Sequence, residues 1–171
     1  MSDLSAPMAA AWRTSVVQDF AASELFDRTF QEGMELVEDT AAYLDGAGRQ
    51  ESKLLSRAAA LAYASESMRL TTRLMQLASW LLVQRAVREG DMAAHDACED
   101  RYRLREELRE HPGDDGFSAL PMGLKVLMEQ SDRLFDRVLH LDRRMYVEQA
   151  HDQTTHPVFN QMDRIQAAFG A

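Results

Sequence analysis

The sequence predicts an all-α protein, an antiparallel three-helix bundle with a long central helix and flexible termini. Two observations carry that expectation. Of eight glycines and four prolines in 171 residues, five and three are gathered at Gly46/Gly48, Pro112/Gly113/Gly116, Pro121/Gly123 and Pro157, which leaves long stretches without a helix breaker. Within those stretches apolar residues recur three and four apart, the period of one helix face.

Residues 1–18 are small and polar without a sustained period, and are expected to form a flexible N-terminus. From about Asp19 to Leu44, Phe26, Phe30, Gly33, Val37, Thr40 and Leu44 follow at spacings of 4, 3, 4, 3 and 4. Ser23 or Asp19 is placed to cap this helix, and the DGAG stretch at 45–48 ends it.

The next helix is expected over Ser52 to Glu89, about 57 Å at ~1.5 Å per residue. It sorts into three stripes. Ser65, Met68, Thr72, Met75, Ser79, Leu82 and Ala86 form one; Tyr63, Ser67, Leu70, Leu74, Leu77 and Leu81 form a second beside it. Both are predicted to pack, which makes this helix the middle of a bundle. The third stripe is polar: Glu66, Arg69, Arg73, Gln76, Trp80, Gln84 and Arg88.

Residues 90–121 read as a polar linker, in which Asp91 to Glu110 could continue as helix until the HPGDDG stretch at 111–116. The last long helix is expected over 121–150, with Leu124, Leu127, Ser131, Leu134, Val138, Leu141 and Met145 forming an uninterrupted seam of three heptads. These elements define one domain over 19–150. The TTHP break at 154–157 sets off a C-terminal tail, 151–171, also expected to be flexible, where Val158, Met162, Ile165 and Phe169 could fold as an amphipathic turn on a partner.

Charge supports the assembly and narrows the function. The chain holds 19 Lys plus Arg against 28 Asp plus Glu, a net charge of −9. Phosphate binding is driven by basic residues, so this balance argues against a direct role on nucleic acid. A DNA-associated or purely structural dimeric regulator is the alternative reading, and a salt-dependent DNA affinity would distinguish it. Eight acids and one Arg fall within residues 19–45, whereas five Arg and one Glu fall within 56–88. Two helices so charged are expected to lie antiparallel, the charges specifying the pairing more than stabilising it.

No apolar run approaches the length of a membrane span, and no positively charged leader with a long apolar stretch opens the chain, so a soluble cytoplasmic protein is expected. The single cysteine, Cys98, excludes an intrachain disulfide. There is no G-x-G-x-x-G, phosphate-loop or H-E-x-x-H pattern, so neither cofactor nor metal is expected. His95 and Cys98, three apart, lack a third ligand or an orienting acid at a suitable spacing. Trp80 stands out, because an aromatic among arginines is typical of binding hot spots. The candidate partner-binding residues are therefore Arg69, Arg73, Gln76, Trp80, Gln84 and Arg88 on the central helix, with Phe159, Met162, Ile165 and Phe169 in the tail.

The stretch RAAALAYASESMRLTTRLMQLASWLLVQRAVREGDM, residues 57–92, resembles the signature region of the regulator of CtrA degradation (RcdA) family of alphaproteobacteria. FDRTFQEGMELVEDTAAYLDG, residues 26–46, and RVLHLDRRM, residues 137–145, are similar to the family's first and third helices. The resemblance implies a dimeric three-helix protein without enzymatic activity. It further implies an adaptor that helps the ClpXP protease destroy cell-cycle regulators such as CtrA, working with the adaptors CpdR and PopA at a cell pole.

Overall fold

The computed structural model describes residues 5–105 and 116–146, and the side chains of 11–105 and 116–145. Every regular element among them is helical: α1 (Ser5–Ala21), α2 (Glu24–Asp45), α3 (Ala47–Ser52), α4 (Arg57–Glu89), α5 (Ala94–Ala97), α6 (Met122–Tyr146), and two single 3-10 turns at Asp100–Tyr102 and Phe117–Ala119.

The three long helices α2, α4 and α6 pack on one another, and the inter-helix contacts fix their directions. Arg88 pairs with Asp27, and Gly33 lies against Leu81, so α2 and α4 are antiparallel. Arg137 pairs with Glu32, and Gly123 sits against the Tyr43 ring, so α2 and α6 are antiparallel as well. Arg73 pairs with Asp132 and Trp80 with Asp142, so α4 and α6 run parallel. The segment between them is therefore a crossover that returns the chain to the opposite end of the bundle. Its short helix and turns anchor it through the buried Ala94, Ala97, Leu104 and Leu120.

Local signals explain the boundaries. Ser23 Oγ accepts the Phe26 N–H at 3.2 Å and Ser56 Oγ accepts the Ala59 N–H at 3.2 Å, capping α2 and α4. At the far end of α4, Gly90 adopts φ 82°, a left-handed conformation that costs glycine little. This lets the Asp91 N–H bond to Ala86 O at 2.9 Å and the Gly90 N–H to Val87 O at 3.2 Å, closing the helix.

The predicted seam of α6 is the core. Leu124, Leu127, Ser131, Leu134, Val138 and Met145 are buried, and Leu141 packs against them. On α2, Phe26, Gly33 and Thr40 are buried as expected, joined by Thr29 and Leu36 on the neighbouring stripe.

Two expectations are corrected. The N-terminal segment is not a frayed end: it is helical from Ser5, with Val17 and Ala21 fully buried and Phe20 stacked edge-on to Phe26 at 5.8 Å. The residues of α1 that pack on the core, Val16, Val17, Phe20 and Ala21, span less than two turns, too short a run to register as a period. The second correction concerns α4. Of its two apolar stripes only Leu70, Leu74, Leu77 and Leu81 face inward, whereas Met68, Met75 and Leu82 point to solvent.

Candidate partner-binding surface

The polar stripe of α4 is largely internal. Leu70, Leu74, Leu77 and Leu81 fix the direction of the core, and the stripe beside them turns toward α6 and α1 because partners await it there. The Arg73 guanidinium, almost fully buried, pairs with Asp132 and lies over the Phe135 ring at 5.7 Å. The Trp80 indole is 2 % exposed. Its Nε1–H donates to Asp142 Oδ1 at 2.9 Å, and its ring lies 5.8 Å from that of Phe20.

Asp142 is itself wholly buried and accepts a second hydrogen bond from Arg103 Nη2 at 3.2 Å. Burial raises its carboxyl pKa, and the Trp80 N–H and Arg103 guanidinium oppose that rise. Gln84 is also buried. Arg73, Trp80 and Gln84 therefore hold the bundle together and cannot form an outer docking face in this fold.

The rest of the stripe sits at its edges. Arg69 and Gln76 are half-buried, Arg69 pairing with Glu66 at 3.3 Å; Arg88 is exposed but pairs with Asp27 across to α2. Phe159, Met162, Ile165 and Phe169 lie outside the described residues. His95 and Cys98 do not form a reactive couple. His95 faces Asp96 at 2.9 Å, and the Cys98 thiol donates to Ala94 O at 3.3 Å, with burial raising its pKa. Among the described residues no cluster of His, Cys, Asp and Glu is arranged to hold a metal ion.

The surface feature the sequence reading missed is the outer face of α4. Leu61, Met68, Met75 and Leu82, seven residues apart, are 67, 72, 66 and 51 % exposed. Ala64, Ser65, Thr71, Thr72 and Ser79 fill the intervals and are exposed too. No exposed position of α4 from Ala58 to Leu82 is charged, in a chain of which 27 % of residues are charged. Isolated exposed apolar residues are ordinary, but a continuous uncharged strip of this length marks an interaction surface. The seven-residue spacing was the signal available in the sequence; it was read as core because core and interface share it.

Fold and surface together define a small all-α bundle protein with an exposed apolar helix face. A family described as a protein of unknown function, DUF1465, matches residues 17–169. The crystal structure of RcdA from Caulobacter crescentus CB15 is similar at 66 % sequence identity, over 77 % of this chain and 98 % of that one, with a TM-score of 0.64. No curated protein matches the chain. The chain belongs to the RcdA family.

Proposed function

We propose that this protein is a non-enzymatic adaptor in regulated proteolysis, helping to deliver cell-cycle regulators such as CtrA to the ClpXP protease. The observation that carries the reading is the 66 % identity to RcdA over 98 % of the chain in its crystal structure. CpdR and PopA are its co-adaptors, it acts in the cytoplasm at a cell pole, and it works as a dimer.

The physical requirements of tethering suit the molecule. Bringing cargo to a protease raises effective concentration and needs separate docking surfaces on a stable scaffold, with no chemistry of its own. The bundle supplies the scaffold. The tail, through Phe159, Met162, Ile165 and Phe169, is the linear docking segment, and the edge of α4 at Arg69, Gln76 and Arg88 is a second contact.

The test is reconstituted degradation of CtrA by ClpXP with CpdR and PopA, with and without this protein. Faster loss of CtrA in its presence is expected. An unchanged rate for CtrA and for other cell-cycle regulators would overturn the adaptor reading.

A further inference from the structure

We propose that α1 is a hinged cover: it lifts off as a unit about Ala22 and Ser23 while α2, α4 and α6 stay folded, and so uncovers the aromatic rings of Phe26 and Trp80.

The bundle has its own ties. Arg88 with Asp27, Arg137 with Glu32 and Arg73 with Asp132 join α2, α4 and α6 to one another, and Asp142 joins Trp80 to Arg103 of the crossover. All of these lie outside α1, which can leave without breaking them. The hold of α1 is narrow by comparison. From Ala11 to Ala21 only Val17 and Ala21 are fully buried, with Val16 and Phe20 packed beside them. The three long helices keep Leu70, Leu77, Leu81, Leu134 and Phe135 buried among themselves. A segment with few buried apolar contacts opens far more readily than the whole fold does.

The connection allows the movement. α1 ends at Ala21 and α2 begins at Glu24, and Ser23 between them has φ −83° and ψ 154°, outside the helical range. A hinge needs only a few such residues at the end of an element. Ser23 Oγ latches the closed form by donating to Phe20 O at 2.6 Å. Its other bond, from the Phe26 N–H, lies within the first turn of α2 and survives the opening.

Closure also strands a polar atom. Arg13 Nε on α1 is buried without a hydrogen-bond partner among the described residues. Such a group is costly to bury, and opening returns it to water. What opening uncovers is aromatic. Phe20 leaves the rings of Phe26 and Trp80, each 5.8 Å from its own, while the indole N–H stays on Asp142. The cover thus sets the share of molecules that present this face.

Two measurements on the full chain test the cover. In native-state amide exchange, Val16 to Ala21 should exchange as one set, at least about 100-fold faster than Leu74 to Leu81. Trp12, half exposed on α1, is replaced in Trp12→Phe so that Trp80 is the sole indole. Adding Val17→Asp sets a charge at a site that is fully buried when α1 is closed, which favours the open form. Acrylamide quenching of Trp80 should then rise severalfold while the Leu74 to Leu81 amides stay protected. One common exchange rate for both sets, or a Val17→Asp chain that loses the bundle altogether, would overturn the cover, since α1 would then belong to a single unfolding unit. Exchange graded from Ser5 to Ala21, with no gain in Trp80 quenching, would be end fraying and would overturn it too.

Discussion

The indole Nε1–H of Trp80 on α4 donates to the wholly buried Oδ1 of Asp142 on α6 at 2.9 Å, and Arg103 from the crossover closes on the same carboxylate. One buried acid thus joins the two parallel helices to the segment that connects them. Leaving a buried donor without an acceptor costs about 1–3 kcal/mol, more than the net gain from making the bond. Asp142→Ala should therefore destabilise the fold by about 2–4 kcal/mol, from the orphaned Trp80 N–H and the space left behind. Asp142→Asn keeps an oxygen for Trp80 but turns an amide N–H toward Arg103, so in urea unfolding it should lose stability, though less than Asp142→Ala. Equal losses in the two variants would contradict the role given to the Trp80 bond.

The same carboxyl gives a pH dependence of defined sign. Its folded pKa is raised chiefly by burial, so the folded state holds the proton more tightly than the unfolded chain does. Its contribution to stability is fullest below the unfolded value, ~3.9, and is lost as pH rises through the raised folded value. The stability of wild type relative to Asp142→Asn should accordingly fall as pH rises above about 4 and level off once the folded carboxyl has ionised. A difference that stays flat across that span would show that burial does not control this group.

Trp80→Ala should act on stability rather than on a single partner. Emptying a fully buried aromatic site costs about 3–5 kcal/mol. A loss of that size lowers the melting temperature by about 2–4 °C per kcal/mol in a chain of this size, on the order of 6–20 °C in all. A chain ending at Gln149 keeps every buried residue from Val17 to Met145. It should retain the helical signal while losing CtrA delivery. A Trp80→Ala protein that melts like wild type but fails to bind one partner would restore the tryptophan as a docking residue.

The stripes of α4 show what a sequence can and cannot convey. Leu70, Leu74, Leu77 and Leu81 were legible as core because period and chemistry agree there. The flanking stripes were assigned by polarity alone: Met68, Met75 and Leu82 inward, Arg73, Trp80 and Gln84 outward. The molecule reverses them because Asp132 and Asp142, some sixty residues downstream, make the polar flank the one that can be buried with partners. That pairing is non-local, and no helical period reports it. The seam of α6, by contrast, was legible, since apolar residues at every seam position but Ser131 leave one way to turn the helix, although the buried Met128, Phe135 and Leu139 beside it lie off that seam.

Gly33 marks the close approach of α2 to α4. A Cβ added there would stand 2.5 Å from Leu81 Cδ1 and 3.7 Å from Leu134 Cδ2, both on fully buried side chains. Alanine favours a helix interior over glycine by roughly 0.5–1 kcal/mol, but overpacking a filled core costs about 1–3 kcal/mol. Gly33→Ala should therefore lower stability on balance. Leu81→Val removes the offending Cδ1, so the double variant should recover about 0.5–2 kcal/mol relative to the sum of the single losses. Strict additivity in denaturant unfolding would place the strain elsewhere.

Ser23 does more than a cap. Its Oγ accepts the Phe26 N–H at 3.2 Å and donates to Phe20 O at 2.6 Å, tying the last turn of α1 to the first turn of α2. Ser56 makes the equivalent N-terminal bond on α4, to the Ala59 N–H at 3.2 Å. Loss of an N-cap hydroxyl typically costs about 1 kcal/mol, so Ser56→Ala measures the cap alone. Ser23→Ala should cost more, by about 0.5–1 kcal/mol for the second bond. The excess should also appear as faster amide exchange in the last turn of α1, because that bond restrains the helix covering Trp80. Equal stability losses, with α1 protection unchanged, would mean that Val17, Phe20 and Ala21 hold α1 in place without help from the turn.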